Sequence, residues 1–203
     1  MGSPCLERLT GLVPGGLGAV AIETGTCKGY GTQELAGFFE RVYTIELSEQ
    51  LFAVARDRLK TLGNVQCLQG SSSARLAELL PSLDGPIFFF LDAHWSGDKT
   101  VPWNTSKWKG YGHDTAHLGV QGSKPTGPEQ CPLAEELAVI ARLCRGPANV
   151  LIDDVKNIGR QDSGFPGEDW THISRESLLA AVQPRLLEFR ELEKPNQWFL
   201  RLK

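Results

Sequence analysis

The chain has 203 residues, of which 41% are hydrophobic and 22% charged, with a formal net charge of −3. This is ordinary globular composition for one domain, with enough apolar residues for a core. It argues against a nucleic-acid scaffold, which would carry a basic face, and against a membrane protein, since no apolar run reaches about 20 residues.

The cysteines, Cys5, Cys27, Cys67, Cys131 and Cys144, are odd in number and widely spaced, with no CxxC pair. They read as small buried hydrophobes in a reducing compartment rather than as a zinc site. The first residues lack a basic start followed by an apolar core, so no signal peptide is expected, and the sequon at Asn104 carries no weight. A soluble cytoplasmic protein is the expectation.

In chain order, Gly18–Ile22 is small and apolar and leads into Glu23, predicting a first strand. Thr32–Phe39 follows as a helix with Leu35, Phe38 and Phe39 on one face. Arg41–Ile45 is β-branched and aromatic, a second strand that ends at Glu46. Ser48 caps a helix with Leu51, Phe52, Ala55 and Leu59 at helical spacing. Asn64–Leu68 is a third strand ending in Gln69-Gly70, and Ser72 or Ser73 caps a short helix stopped by Pro81.

Ile87–Leu91 is apolar at every position, as a strand covered on both faces requires, and it ends at Asp92. Pro132–Cys144 is the clearest helix, with Leu133, Leu137, Ile140 and Ala141 as its stripe and Gly146-Pro147 after it. Asn149–Ile152 is the next strand, ending at Asp153-Asp154. Ser174–Val182 reads as a helix, and Arg185–Glu191 and Gln197–Leu202 as two final strands.

Alternation of this kind predicts βαβ units in an α/β, doubly wound, Rossmann-like sheet whose parallel strands share one C-terminal edge. Ligands bind at that edge, near the point where strand order reverses. Glu23, Glu46, Asp92, Asp153 and Asp154 all follow predicted strands and are expected to gather on this rim. The exception to the pattern is Ser96–Gln130, long and Gly-rich with Trp103, Trp108, Tyr111, His113 and His117. Loops of such length are usually functional or disordered. Its place after the central strand predicts a lid that builds the acceptor pocket, with the two tryptophans available for stacking and the histidines on the surface.

The segment from Ile22 to Thr32 carries Glu23, Gly25, Gly29 and Gly31 between a strand and a helix, as a cofactor loop does. Two cofactors compete for it. The nicotinamide fingerprint GxGxxG fails here, because Glu34 stands at the third glycine position. Glu23, just before the first glycine, suits a ligand with an amino group and a sulfonium better than a pyrophosphate. Glu46 suits the ribose of either cofactor.

Together, Glu23-x-Gly25-x-x-x-Gly29-Tyr30, Ile45-Glu46, Gly70-Ser71-Ser72 and Leu91-Asp92 resemble class I S-adenosylmethionine-dependent methyltransferases, over roughly residues 18–155. The similarity is greatest to the metal-dependent small-molecule O-methyltransferases of the catechol and macrocin types. It implies a mostly parallel seven-stranded sheet with a C-terminal antiparallel hairpin. It further implies cofactor contacts from Glu23, Thr24, Gly25, Thr26, Gly29, Tyr30, Glu46, Gly70, Ser71, Ser72 and Asp92. Glu23 and Gly25 would hold the methionine part, Glu46 the ribose, and Ser71 and Ser72 would flank the adenine.

The resemblance also implies a divalent cation, magnesium, on Asp92, Asp153 and Asp154, with His94 as a further ligand, a base or a support, and Asp92 and His94 as catalytic residues. There are two departures. Gly31 replaces the family's Ser or Thr, and Trp95 stands in the region where the catechol type has its Lys. The expected activity is methyl transfer to a hydroxyl of a small-molecule acceptor, with no nucleic-acid or membrane partner and with a homodimer compatible. A nicotinamide-dependent oxidoreductase and a non-catalytic cofactor binder are the alternatives.

Overall fold

The computed structural model describes residues 4, 6–11, 13, 16–95, 130–162, 167–192 and 196–203. The lid expected over Ser96–Gln130 lies outside these residues except for Gln130, as do Cys5, Trp103, Trp108, His113 and His117.

Seven strands form one sheet in the order β3-β2-β1-β4-β5-β7-β6. They are β1 Val20–Thr24, β2 Arg41–Glu46, β3 Val65–Gln69, β4 Ile87–Leu91, β5 Ala148–Ile152, β6 Leu186–Leu192 and β7 Gln197–Leu202. The first five pair in parallel, while β7 runs antiparallel to both β5 and β6. Strand β4 occupies the middle of the order and is buried along its whole length, as its unbroken apolar run predicts. The order reverses between β1 and β4, which sets the switch point beside Thr24 and Asp92.

Six helices flank the sheet among the described residues: α1 Leu6–Thr10, α2 Tyr30–Phe38, α3 Glu49–Leu59, α4 Ser72–Leu79, α5 Leu133–Leu143 and α6 Arg175–Val182. None is long and apolar enough to cross a membrane. Because successive strand residues point to opposite faces, β1 divides its side chains between two cores. Val20 and Ile22 pack with Ile87, Phe89 and the stripes of α4, α5 and α6. Ala21 packs with Phe88, Phe90, Leu35 of α2 and Leu6 and Leu9 of α1. Each buried Phe or Leu contributes about 2 kcal/mol through area removed from water.

Local signals place most ends. Ser48 caps α3 by accepting from Leu51 N at 3.3 Å. Ser174 and Ser177 form a capping box at α6. Arg185 ties down the C-terminal end of α5, donating to the carbonyls of Ile140 in its last turn and of Cys144 and Gly146 beyond it.

Three expectations are corrected. Phe38 is exposed, because Leu35 and Phe39, four apart, take the buried face of α2. Ser71 rather than Ser72 or Ser73 is the N-cap of α4, and it makes no side-chain capping bond. Strand β1 begins at Val20 rather than Gly18, whose backbone is left-handed at φ +101°. Of the described cysteines, Cys131 and Cys144 are buried, whereas Cys27 and Cys67 are half-buried; all have free thiols.

Candidate functional site at the strand ends

The loop between β1 and α2 passes over the C-terminal ends of the parallel strands. Gly25 sits at φ +83°, and a Cβ there would lie 2.6 Å from the Asp92 carbonyl oxygen, so only glycine lets the loop cross the switch point. The loop is fastened to β2 by Gly25 N donating to Ile45 O at 2.9 Å and by Cys27 N donating to Glu46 Oε2 at 2.7 Å. Gly29, at φ +81°, opens α2.

Glu23 is turned into the α2 face of the sheet and is only 2% exposed. Its Oε2 accepts from Thr44 Oγ1 at 2.6 Å and from the Thr32 hydroxyl, and Thr26 in turn pairs with Thr44 at 2.5 Å. Burial raises its pKa to about 7 against the pull of these two hydroxyls. The other oxygen explains Gly31: a Cβ there would meet Glu23 Oε1 at 2.5 Å. The hydroxyl that the resemblance expects at this position is supplied one residue later, by Thr32.

Glu46 ends β2, nearly buried, with Oε1 accepting from Ser48 N at 2.9 Å and Oε2 from Cys27 N. Burial raises it to about 7 as well, opposed by those backbone donors. On the same side, the Arg58 guanidinium stacks on the Tyr30 ring at 4.1 Å.

The other acids gather around β4 and β5. Asp92, His94 and Asp154 bring one ligand atom each to within 4.8 Å of one another. His94 Nδ1 is 3.8 Å from Asp92 Oδ1, and its Nε2 is 3.8 Å from both Asp154 Oδ2 and Glu168 Oε1. The imidazole also lies against the Trp170 indole, with ring centroids 5.3 Å apart. Asp154 holds a left-handed backbone, φ 52°, which turns its carboxylate back toward this group. Asp153 Oδ1 accepts from Asp154 N at 2.9 Å, and the cluster of ligand atoms among the described residues is Asp92, His94 and Asp154. Burial, then the neighbouring Asp153 and Asp154 charges, hold the Asp92 carboxyl well above the usual range, and its Oδ1 has no hydrogen-bond partner.

A small crevice opens here, walled by Asp92, His94, Glu136, Asp153 and Trp170. Sequence reasoning missed three of the acids and aromatics around it. Glu136 carries a readable signal, since it falls three residues after Leu133 and four before Ile140, a charged residue on an apolar stripe. Glu168 and Trp170 carry none. They reach His94 from the segment after β5, where Trp170 Nε1 donates to Glu168 Oε1 at 2.9 Å.

At the start of α4, Ser71 pairs with Ser73 at 3.1 Å, and Ser73 donates to Glu135 at 3.0 Å. The Ser72 hydroxyl is buried and makes no hydrogen bond of ordinary geometry among the described residues. Gly70, at φ +135°, turns the chain from β3 into this helix.

No protein-family model matches the sequence, and no curated protein sequence matches it. Solved structures do resemble it. An S-adenosylmethionine-dependent methyltransferase from Aquifex aeolicus aligns with a TM-score of 0.55 at 14% identity, over 98% of this chain and 88% of that one. An O-methyltransferase from Bacillus cereus, in complex with SAH, aligns with a TM-score of 0.51 at 16% identity, over 91% of this chain and 73% of that one. The 23S rRNA methyltransferase ErmE aligns with a TM-score of 0.53 at 16% identity, over 100% of this chain and 69% of that one. The seven-stranded, mostly parallel sheet with its C-terminal antiparallel hairpin is the class I methyltransferase fold.

Proposed function

We propose that the protein is an S-adenosylmethionine-dependent methyltransferase that acts on a hydroxyl of a small-molecule acceptor with the help of a divalent cation. The observation that carries this reading is the pairing of a glycine loop, forced over the switch point by Gly25, with a carboxylate at the end of the next strand, Glu46. Glu46 accepts Cys27 N on Oε2 and Ser48 N on Oε1, and the Leu47 N–H also favours its charged form. A carboxylate offers about four acceptor sites. Capacity therefore remains for a ribose hydroxyl.

The fold supports the reading, since fold neighbours include methyltransferases, one of them in complex with SAH. Fold alone does not assign chemistry, so the residues must carry it.

The donor set fits a metal. Asp92 and Asp154 offer carboxylate oxygens, His94 offers a nitrogen, and Asp92 Oδ1 is an orphaned acceptor. Two carboxylates with an imidazole suit manganese or zinc at least as well as magnesium, which prefers oxygen alone. When bound, S-adenosylmethionine supplies the transferable methyl and the cation acidifies the acceptor hydroxyl. Among the chain's own residues, Glu46 orients the nucleoside and Gly70, Ser71 and Ser72 flank its base. Glu23 holds the loop in shape through Thr32 and Thr44. Asp92 and His94 border the place of the acceptor and would position it.

Titration calorimetry with S-adenosylhomocysteine and, separately, NAD tests the cofactor assignment. The account expects binding of the first only, weakened about tenfold or more by Glu46→Ala. Binding of NAD alone, or affinity for S-adenosylhomocysteine indifferent to Glu46→Ala, would contradict it. For the cation, manganese bound to the wild type and detected by electron paramagnetic resonance should be released in Asp92→Asn; equal binding by the two would remove Asp92 from the site.

A further inference from the structure

Glu136 lies on α5, 1% exposed, and neither of its carboxylate oxygens makes a hydrogen bond of ordinary geometry among the described residues. Two further buried side-chain oxygens without a partner stand near it: Thr24 Oγ1 at the end of β1 and Ser72 Oγ at the start of α4. These hydroxyls favour the charged form of Glu136, so they are close, yet neither makes a hydrogen bond of ordinary geometry to it. Buried polar groups in folded proteins are paired, and a set left open together signals a missing partner. Leaving a buried carboxylate unsatisfied is costly, which makes chance a poor explanation. The small crevice beside Asp92 and His94 also touches Glu136, so the carboxylate borders the strand-end site.

The arrangement specifies the partner. A carboxylate accepts, and the two hydroxyls beside it can donate or accept. A ligand that fits must present N–H groups next to an acceptor. Adenine does so: its N6 amine donates, and the ring nitrogens on either side accept. The location agrees. With a ribose on Glu46 at the end of β2, the base falls one glycosidic bond away, toward β3 and the start of α4, where Ser72 stands. The end of β3 itself, Gln69-Gly70-Ser71, provides no carboxylate.

We propose that Glu136, with Ser72 beside it, is the specificity-determining residue that reads the exocyclic amine of the cofactor's adenine. This rests on the assignment of an adenosine cofactor made above. A purine with a carbonyl in place of the amine would set an oxygen against the Glu136 carboxylate. Sites built to hydrogen-bond a ligand group reject the analogue that lacks it far more strongly than apolar pockets do.

Calorimetry with S-adenosylhomocysteine and its deaminated counterpart S-inosylhomocysteine, on wild type and on Glu136→Gln, tests the proposal. The wild type should favour the adenosyl compound by about a hundredfold or more. In Glu136→Gln, whose amide can also donate, the preference should fall to about threefold or less, with thermal melts verifying that the variant is folded. A folded wild type that binds both compounds equally overturns the proposal while leaving the cofactor assignment intact, and so does a folded variant that keeps the full preference. Should the variant not fold, the wild-type ratio and Ser72→Ala, expected to weaken adenosyl binding by about fivefold, decide the matter. Binding of neither compound by the wild type overturns both the assignment and the proposal.

Discussion

On the side of the rim that faces α2, Glu23 and Glu46 accept hydrogen bonds from the chain itself, through Thr32, Thr44, Cys27 N and Ser48 N. On the side that faces α4 and α5, Glu136 and one oxygen of Asp92 meet no hydrogen-bond partner among the described residues. Burial raises the pKa of all four acids, so burial does not separate the two sides. Partnership does. A buried acid that the chain already bonds shapes the backbone that a ligand rests on, and Glu46 keeps room for the ribose besides. An unsaturated one is held ready for a ligand's donors, and the fold bears its cost until they arrive.

Breaking the loop, or the bonds that the chain makes to Glu23, should have the largest effect. Gly25→Ala forces a Cβ to within 2.6 Å of the Asp92 carbonyl at a left-handed backbone position, with no flexible side chain to give way. A loss of about 4 kcal/mol or failure to fold is expected, read from urea unfolding. Thr44→Val removes the donor 2.6 Å from Glu23 and leaves that carboxylate short of a bond, for a loss of about 2 kcal/mol by the same assay.

The unsaturated side should respond differently. Glu136 has an ordinary pKa of 4.5 and a folded value of about 7. Between those two values the folded protein binds a proton that the unfolded chain has released. Stability therefore falls as pH rises through this window, and the penalty is absent below it and complete above it. Glu136→Gln removes that contribution. Without ligand, the variant should match the wild type near pH 4.5 and exceed it by on the order of 2 kcal/mol at pH 8. A difference independent of pH would show that the carboxylate is already satisfied. Ser72→Ala should have the smallest effect, within about 0.5 kcal/mol of wild type in the unliganded protein, because only a contact short of ordinary hydrogen-bond geometry is lost. A cost comparable to that of Thr44→Val would erase the distinction between the two sides.

Much of this was legible in the sequence. The apolar run Ile87–Leu91 announced the central strand, and Gly25 and Gly29 announced the loop, because a fully buried strand and a left-handed turn each demand particular residue types. The acids after the strands were read correctly as a rim in outline, but not in orientation. One residue's difference in a strand decides which face a side chain takes, so Glu23 turned into the α2 face while its neighbour Thr24 faced α5. Glu136 was visible as a charge on an apolar stripe, yet only packing reveals that nothing answers it. Glu168 and Trp170 come to His94 from an irregular segment whose course periodicity does not predict.

A crystal structure with S-adenosylhomocysteine tests the central claim most directly. The account predicts the nucleoside lying across the ends of β1, β2 and β3, with a ribose hydroxyl on Glu46 and the adenine amine within hydrogen-bonding distance of Glu136. A ligand bound away from the strand ends, or one that leaves both Glu136 oxygens without a partner, would contradict it.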